Sequence, residues 1–142
     1  MPLKIIDHGS KEYEQMVQLR NEVLRRPLGL TLQPEELASE KDHVLIAAYD
    51  DGDLLGCCML VKEPEKQIRL RQMAVRNNIQ GKGIGKSILN FAENVARDLG
   101  YNKIIMNSRH SSTPFFEKLG YRICSEPFEK ISIPYYYMEK AL

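Results

Sequence analysis

Residues 70–86 have the sequence Leu70-Arg71-Gln72-Met73-Ala74-Val75-Arg76-Asn77-Asn78-Ile79-Gln80-Gly81-Lys82-Gly83-Ile84-Gly85-Lys86. The residues as far as Val75 predict a strand, and the adjacent asparagines that follow predict a loop. From Ile84 onward apolar residues recur at helical spacing as far as Leu99, and Gly100 supplies a helix stop. The stretch therefore predicts a strand, a short polar connection, a glycine-rich turn and a helix.

The two faces of the predicted strand follow from the alternation of side chains along a strand. Strict alternation places Leu70 and Gln72 on one face of the sheet. It places Arg71, Met73 and Val75 on the other face. No pattern in these residues indicates an irregularity in the strand.

Three glycines, Gly81, Gly83 and Gly85, alternate with other residues at the predicted start of the helix. Without a Cβ atom the backbone can take a positive φ, and a bound group can approach it closely. The first N–H groups of a helix have no intrahelical acceptor, and the helix dipole adds partial positive charge there. Lys82 and Lys86 add formal charge. This turn therefore predicts a site for a phosphate or pyrophosphate group.

The spacing of the turn excludes two common phosphate-binding loops. The nucleotide-triphosphate loop requires a glycine where this chain has Gln80, and the dinucleotide fingerprint requires one where it has Lys86. Gln80, Gly83 and Gly85 instead match the pattern Gln/Arg-x-x-Gly-x-Gly/Ala. With Ala74-Val75 as the strand end upstream, the stretch resembles the coenzyme A pyrophosphate loop of the GNAT acyltransferase superfamily.

Length and composition predict one soluble globular domain over residues 1–142. The formal net charge is +1, so nothing indicates a nucleic-acid partner. No apolar run approaches the ~18 residues of a membrane-spanning helix, and the amino terminus lacks the apolar region of a secretory signal. We expect a cytoplasmic protein that binds neither nucleic acid nor membranes, and no metal site is predicted. Monomer and homodimer both stay open.

The order of elements along the chain predicts the fold. Strands are predicted at residues 3–6, 43–49, 54–61, 67–75, 103–107, 121–124 and 131–138, and further helices at 11–26, 35–38 and 115–119. Early hairpins and a later strand–helix–strand unit predict an α/β (α+β) fold, with a mixed sheet and helices on both faces. This order resembles the GNAT fold, whose sheet is mostly antiparallel, over essentially the whole chain.

A second segment also resembles the superfamily. Residues 115–121, Phe-Phe-Glu-Lys-Leu-Gly-Tyr, are similar to its Phe-Tyr-Glu-Lys-x-Gly-Phe landmark. The resemblance implies an enzyme that moves an acetyl group from acetyl-CoA to the primary amine of a small molecule or peptide, by direct transfer in a ternary complex. The alternatives are a non-catalytic coenzyme A-binding or sensing module and, less consistent with Gln80, a nucleotide-triphosphatase.

The resemblance implies a cofactor site along the predicted strand and turn. Backbone groups of Met73 and Val75 would pair with the pantetheine arm, where the strand splays from its neighbour at a bulge. Many members carry an asparagine at the position of Arg109, and Asn107 could serve instead. The implied cofactor-binding residues are Met73, Ala74, Val75, Gln80, Gly81, Lys82, Gly83, Ile84, Gly85, Lys86, Asn107, Phe115 and Phe116.

Proton transfer is where this sequence departs from the superfamily pattern. Members often place a tyrosine on the late short helix as the acid, and the matching position here is Phe116, which has no proton to give. This departure favours the non-catalytic alternative. The candidates for the missing acid are His110, Ser111, Tyr121 and the run Tyr135-Tyr136-Tyr137, and the residues chosen from them are Tyr121, Tyr136 and His110. No general base is assigned.

Overall fold

The computed structural model describes residues Met1–Leu142, and a single sheet of eight strands runs through it. The strands are β1 (Leu3–Ile6), β2 (Val44–Asp50), β3 (Asp53–Glu63), β4 (Gln67–Val75), β5 (Lys103–Arg109), β6 (Arg122–Ile123), β7 (Phe128–Lys130) and β8 (Ile133–Ala141). The α-helices are α1 (Lys11–Arg20), α2 (Pro34–Ala38), α3 (Ile84–Asp98) and α4 (Thr113–Lys118). None of these helices combines the length and the apolar character needed to span a membrane.

The sheet order is β1-β2-β3-β4-β5-β8-β6, and β7 pairs with β8 at one edge. Only β4 and β5 run parallel, since α3 connects them as a crossover. Every other neighbouring pair is antiparallel. The predicted mixed, mostly antiparallel sheet is therefore confirmed.

Two apolar clusters cover the two faces of the sheet. On one face Ile88 and Leu89 of α3 are fully buried with Ile46 of β2, and Phe116 of α4 joins the same cluster. On the other face Met16 of α1 is fully buried in a second cluster that contains the neighbouring residues of the same strands. Alternation along β2 and β3 supplies both clusters, so the expectation of helices on both faces is confirmed.

The first helix ends earlier than the sequence predicts. Its α-helical part stops at Arg20, and the chain continues as a π-helical turn over residues 21–25 and a 3₁₀ turn over residues 26–28. Pro27 cannot donate a backbone hydrogen bond, and its ring excludes regular helix geometry in the turn before it. The N–H of Arg26 therefore bonds five residues back, to the carbonyl of Asn21.

Strand β4 contains a bulge. Arg71 pairs with Met59, but Ala74 pairs with Cys57, so β4 carries one residue more than β3 between these pairs. Gln72 lies in the bulge with φ of +54°. The bulge that the family resemblance implies is thus confirmed.

The inserted residue changes the face to which the later side chains belong. Leu70 packs in the α3 cluster before the bulge, and Met73 and Val75 pack against the same cluster after it. The predicted placement of Met73 and Val75 opposite Leu70 is therefore wrong, because the bulge shifts the alternation by one residue. Ala74 lies in the α1 cluster.

The carboxyl-terminal part contains a hairpin that the sequence does not predict. The single strand expected over residues 131–138 begins at Ile133, and β7 precedes it. Ile131 and Ser132 form the turn between them, both with positive φ (52° and 59°). Two-residue hairpin turns of this kind usually carry glycine or asparagine. Neither is present here, so the turn had no recognisable sequence pattern.

Candidate active site

A cleft of about 990 Å³ opens where β4 and β5 diverge. The parallel pairing of these strands runs from Gln67 with Lys103 to Leu70 with Met106, and it stops there. Beyond that point the edge of β4 that faces β5 has no strand partner over residues 71–75. Backbone N–H and C=O groups on such an edge are free to pair with a ligand.

The amino terminus of α3 forms one end of this cleft. Gly83 is the residue that caps the helix, with φ of +82°, and no side chain caps the first N–H groups. A Cβ atom at Gly81 or Gly83 would meet nothing within 4 Å, so the space in front of the helix end is open. The helix end combines open space, unsatisfied donors and the positive end of the dipole, which are the requirements of an anion site.

Gly85 has a different structural role from Gly83. A Cβ atom there would lie 3.3 Å from Cζ of Phe115 and 3.5 Å from Cε of Met73. The absence of that atom lets the Phe115 ring of α4 and the Met73 side chain of β4 approach the first turn of α3 closely. Gly85 therefore fixes the packing of the cleft wall.

Gln80 connects the turn to the end of β4. Its Nε2 donates to the carbonyl of Val75 at 3.0 Å and to Oδ1 of Asn77 at 3.2 Å. These bonds hold the polar connection between strand and helix in place. The side chain of Gln80 therefore stabilises the turn through these two hydrogen bonds.

The charges around the cleft are all positive. No Asp or Glu side chain lines it. The lining cations are Arg25, Arg69, Arg71, Lys86, Arg109, Lys118 and Lys130. A carboxylate base is therefore missing from the lining, and the local potential favours anionic ligands.

Nearly all of the predicted cofactor-binding residues lie together in this cleft. Met73, Ala74, Val75, Gln80, Gly81, Gly83, Ile84, Gly85, Lys86, Asn107, Phe115 and Phe116 line it. Lys82 is exposed on the turn and does not line the cleft.

The structure does not bring the three chosen acids, Tyr121, Tyr136 and His110, into the cleft lining. Tyr121 is buried beneath the sheet, and its hydroxyl donates to Oε2 of Glu93 at 2.9 Å. Burial, together with the Glu93 carboxylate, raises the pKa of Tyr121 well above its ordinary value. His110 and Tyr136 lie beside each other, with ring centroids 5.7 Å apart, and neither ring lines the cleft.

Two of the wider set of candidate acids, Ser111 and Tyr135, do line the cleft, and other lining residues were not singled out by the sequence analysis. Tyr135 of β8 is the tyrosine of the cleft, and it pairs in register with Arg109 of β5. The segment that follows α1 contributes an apolar wall, formed by Val23, Leu24, Leu28 and Leu30. Neither the π-helical turn nor the β7–β8 hairpin can be recognised from residue spacing, so these residues could not be placed in advance.

A buried ion pair fixes the helix that precedes this wall. Arg20 is fully buried and donates to both carboxylate oxygens of Glu40, at 2.8 and 2.6 Å. The hydroxyl of Tyr13 donates to the same carboxylate at 2.6 Å. Burial alone would raise the pKa of Glu40, but the hydrogen bonds from Arg20 and Tyr13 outweigh it, and the pKa is lowered.

Comparison with known proteins identifies the family. The model of the acetyltransferase (GNAT) family matches residues 13–121. The chain is 26% identical over 139 residues to "Uncharacterized N-acetyltransferase YjcF" of Bacillus subtilis (strain 168), and the match covers 96% of this chain and 97% of that protein.

Solved structures share the fold. An acyl-CoA N-acyltransferase from Pseudomonas aeruginosa superposes with a TM-score of 0.85 at 21% identity, covering 99% of both chains. An aminoglycoside 6'-N-acetyltransferase complexed with coenzyme A gives a TM-score of 0.84 at 17% identity, over 99% of this chain and 97% of that one. Likeness at such identities shows the fold, and the family match spans the strand, turn and helix that build the cleft. The chain belongs to the acetyltransferase (GNAT) family, and it is an N-acetyltransferase of that family.

Proposed function

We propose that this protein transfers an acetyl group from acetyl-CoA directly to a primary amine bound in the same complex. The observation that carries the proposal is the cleft at the β4 bulge. One end of it is an uncapped helix terminus, and the other end is formed by the segment that follows α1 and by Tyr135 of β8. A single opening can therefore hold the donor and the acceptor on either side of the β4 edge.

The residues of the cleft fit coenzyme A. The open space before Gly81 and Gly83, the first N–H groups of α3 and the charge of Lys86 suit the pyrophosphate. The unpaired β4 edge over residues 71–75 suits the amides of the pantetheine arm. When bound, acetyl-CoA supplies an acetyl thioester that an amine can attack. A backbone N–H of the bulge would stabilise the negative charge that develops on the thioester oxygen.

The acceptor has to lose a proton, and the cleft favours this without a carboxylate base. Every charged side chain in the lining is a cation. Nearby positive charge disfavours an ammonium group and lowers its pKa, so the neutral amine is the form that the cleft binds best. Water can then accept the proton at the open mouth of the cleft.

The coenzyme A thiolate that leaves needs less assistance from protein side chains than the acceptor amine does. Phe116 lies in the cleft wall without a hydroxyl, and Tyr121 is held by Glu93 outside the cleft. The proposal therefore gives Tyr121 no part in proton transfer. Tyr135 is the first candidate for a hydrogen bond to the sulphur, with Tyr136 and His110 as alternatives to be tested.

The test uses cofactor binding and thiol release in the same preparation. Acetyl-CoA at a hundredfold excess over its dissociation constant should stabilise the protein by ~2.7 kcal/mol, and free thiol should appear when a reactive amine is added. Gly83→Val should remove both effects, because its side chain fills the space in front of the helix. No change in melting temperature with millimolar acetyl-CoA would exclude the cofactor assignment.

Gly100→Val is the matched control. Gly100 lies beyond the other end of α3, also with positive φ, and a Cβ atom there would likewise meet nothing within 4 Å. The two substitutions cause similar backbone strain, but only the one at Gly83 lies in the cleft. Gly100→Val should lower the melting temperature and leave the stabilisation by acetyl-CoA intact.

A second candidate function is coenzyme A binding without catalysis, which is favoured by the apolar side chain of Phe116 in the cleft wall. Binding would then be normal, and no amine would release thiol above the rate of the protein-free control. Thiol release with a broad amine panel separates the two functions.

A further inference from the structure

Five of the seven cations that line the cleft have no carboxylate partner within 4.0 Å, and two of these five, Lys86 and Lys118, lie on α3 and α4. Arg71, Arg109 and Lys130 line the cleft, and none of them lies within 4.0 Å of an acidic oxygen. Two other lining cations differ in this respect. Arg69 pairs with Glu63, and Arg25 pairs with Glu36. Away from α3 and α4, the uncompensated positive charge of the lining therefore comes from Arg71, Arg109 and Lys130.

The sheet register places Arg71 and Arg109 on the face opposite α3, whose amino terminus forms the anion site. Arg71 pairs with Met59, whose side chain belongs to the α1 cluster. Arg109 is three residues beyond Met106, which belongs to the α3 cluster, so alternation along the regular β5 puts the two on opposite faces. Lys130 of β7 belongs to the same face as Arg109, because Phe128 and Arg109 both pair with Tyr135 and Lys130 is two residues beyond Phe128.

These three cations are thus distinct from the charge that suits the cofactor. Lys86 and Lys118 lie on α3 and α4, which cover the other face. Phosphates at the end of α3 account for Lys86. They do not account for cations across the sheet, where the acceptor would enter under the proposed function.

We propose that the acceptor carries an anionic group, a carboxylate or a phosphate, in addition to its amine. This inference rests on the proposed acetyl transfer and names the acceptor class. A unit charge about 4 Å from an exposed cation gains ~1 kcal/mol in water and more where water is partly excluded. A polycationic amine would instead meet several like charges and no carboxylate. The anion would lie toward Arg71, Arg109 and Lys130, and the amine toward the β4 bulge.

Matched pairs of amines test the inference. Amino acids are compared with their amides, which replace the carboxylate by a neutral group, and glucosamine 6-phosphate is compared with glucosamine. Kanamycin and spermidine are the polycationic probes. Binding to protein saturated with coenzyme A is measured by calorimetry, and turnover with acetyl-CoA by thiol release. Saturation with coenzyme A keeps phosphorylated probes out of the anion site at the amino terminus of α3.

The anionic member of at least one pair should bind about tenfold more tightly than its neutral counterpart, with the carboxylate and phosphate pairs identifying which anion is used. The preference should be reduced about fivefold by Arg109→Gln, and similarly by Arg71→Gln or Lys130→Gln. Lys11→Gln, on the exposed start of α1, should leave it unchanged. Unaltered stabilisation by acetyl-CoA would show that each variant is folded with its cofactor site intact.

Two other outcomes have defined meanings. Equal binding within both pairs, or tighter binding of kanamycin or spermidine than of the anionic amines, would overturn the inference while leaving acetyl transfer standing. An anion preference in calorimetry without thiol release from any amine would support the inference about the ligand and refute the proposed catalysis.

Discussion

Phe116 has two aromatic contacts that explain why this position is apolar. Its ring lies edge-on to Phe115, with centroids 5.1 Å apart, and edge-on to Tyr121 at 5.8 Å. Such pairs add stability beyond the area that they bury. Phe116 therefore joins the cleft wall to the core beneath the sheet, and this packing role needs no hydroxyl.

Phe116→Tyr should change turnover by less than about tenfold, or ~1.4 kcal/mol of activation free energy, since the site does not depend on a proton from this position. The added hydroxyl increases the side-chain volume only slightly, so folding should be kept. Steady-state turnover with a reactive amine is the measurement. Tyr135→Phe and Tyr136→Phe are the comparisons. A hundredfold loss in either, with acetyl-CoA affinity intact, would identify the acid and contradict this expectation.

Helix α1 is held by the buried ion pair of Arg20 with Glu40, and the element depends on both partners. The Nε atom of Arg20 is buried without a hydrogen-bond partner, so the Glu40 carboxylate supplies most of the compensation for its charge. Removing one partner of such a pair leaves an uncompensated buried charge, which is the costly case.

Glu40→Ala should lower the free energy of unfolding by ~3–5 kcal/mol. Glu36→Ala is the matched control. It removes the carboxylate from the partly exposed Arg25 pair and should cost less than ~1 kcal/mol. Urea denaturation at neutral pH measures both. Similar small losses in the two variants would show that Arg20 is compensated by other groups.

The same pair predicts the sign of a pH effect. The native pKa of Glu40 lies below its ordinary value of 4.5. Its contribution to stability is therefore complete above that value and is lost as the pH falls through the native pKa.

At the scale of elements, residue spacing predicted most of the order and missed irregular segments. The long helix from Ile84 and the strands of the central sheet follow from periodicity. The bulge at Gln72, the π-helical turn at residues 21–25 and the β7–β8 hairpin do not, because each depends on backbone geometry that no residue type at the site demands.

The same division applies to the candidate site. The turn at the start of α3 could be predicted from the sequence, because Gln80 to Lys86 form one continuous motif, of which all residues but Lys82 line the cleft. The rest of the lining combines Leu24, Arg109, Lys130 and Tyr135 from distant parts of the chain. Only the folded sheet brings these residues together, so their joint role could not be predicted from the sequence.

At the scale of the whole molecule, charge is concentrated locally. The formal net charge is only +1, whereas the charged side chains that line the cleft are all cations. Attraction of an anionic ligand therefore arises from the cleft itself, and it acts over about one Debye length, ~8–10 Å at physiological salt.

The value of kcat/KM for acetyl-CoA should accordingly fall as ionic strength rises, because the Debye length drops from about 30 Å at 0.01 M to about 3 Å at 1 M. Lys86→Ala should lower kcat/KM at low salt and make its salt dependence shallower. Lys82→Ala should have a smaller effect, since Lys82 is exposed outside the cleft lining. Steady-state kinetics over this salt range measure the slopes. Parallel slopes for wild type and Lys86→Ala would place Lys86 away from the phosphates.

The bulge in β4 shows how the sequence specifies the separation of β4 from β5. If Gln72 is left out of the count, residues 68–75 alternate between the two faces without interruption, with Leu70, Met73 and Val75 on the α3 side and Ala74 on the other. Every neighbour of Gln72 thus keeps the place that a regular strand would give it. The gap between β4 and β5 opens where β4 has one residue more than its other neighbour, β3. The position of the gap therefore follows from the number of residues in β4 relative to β3.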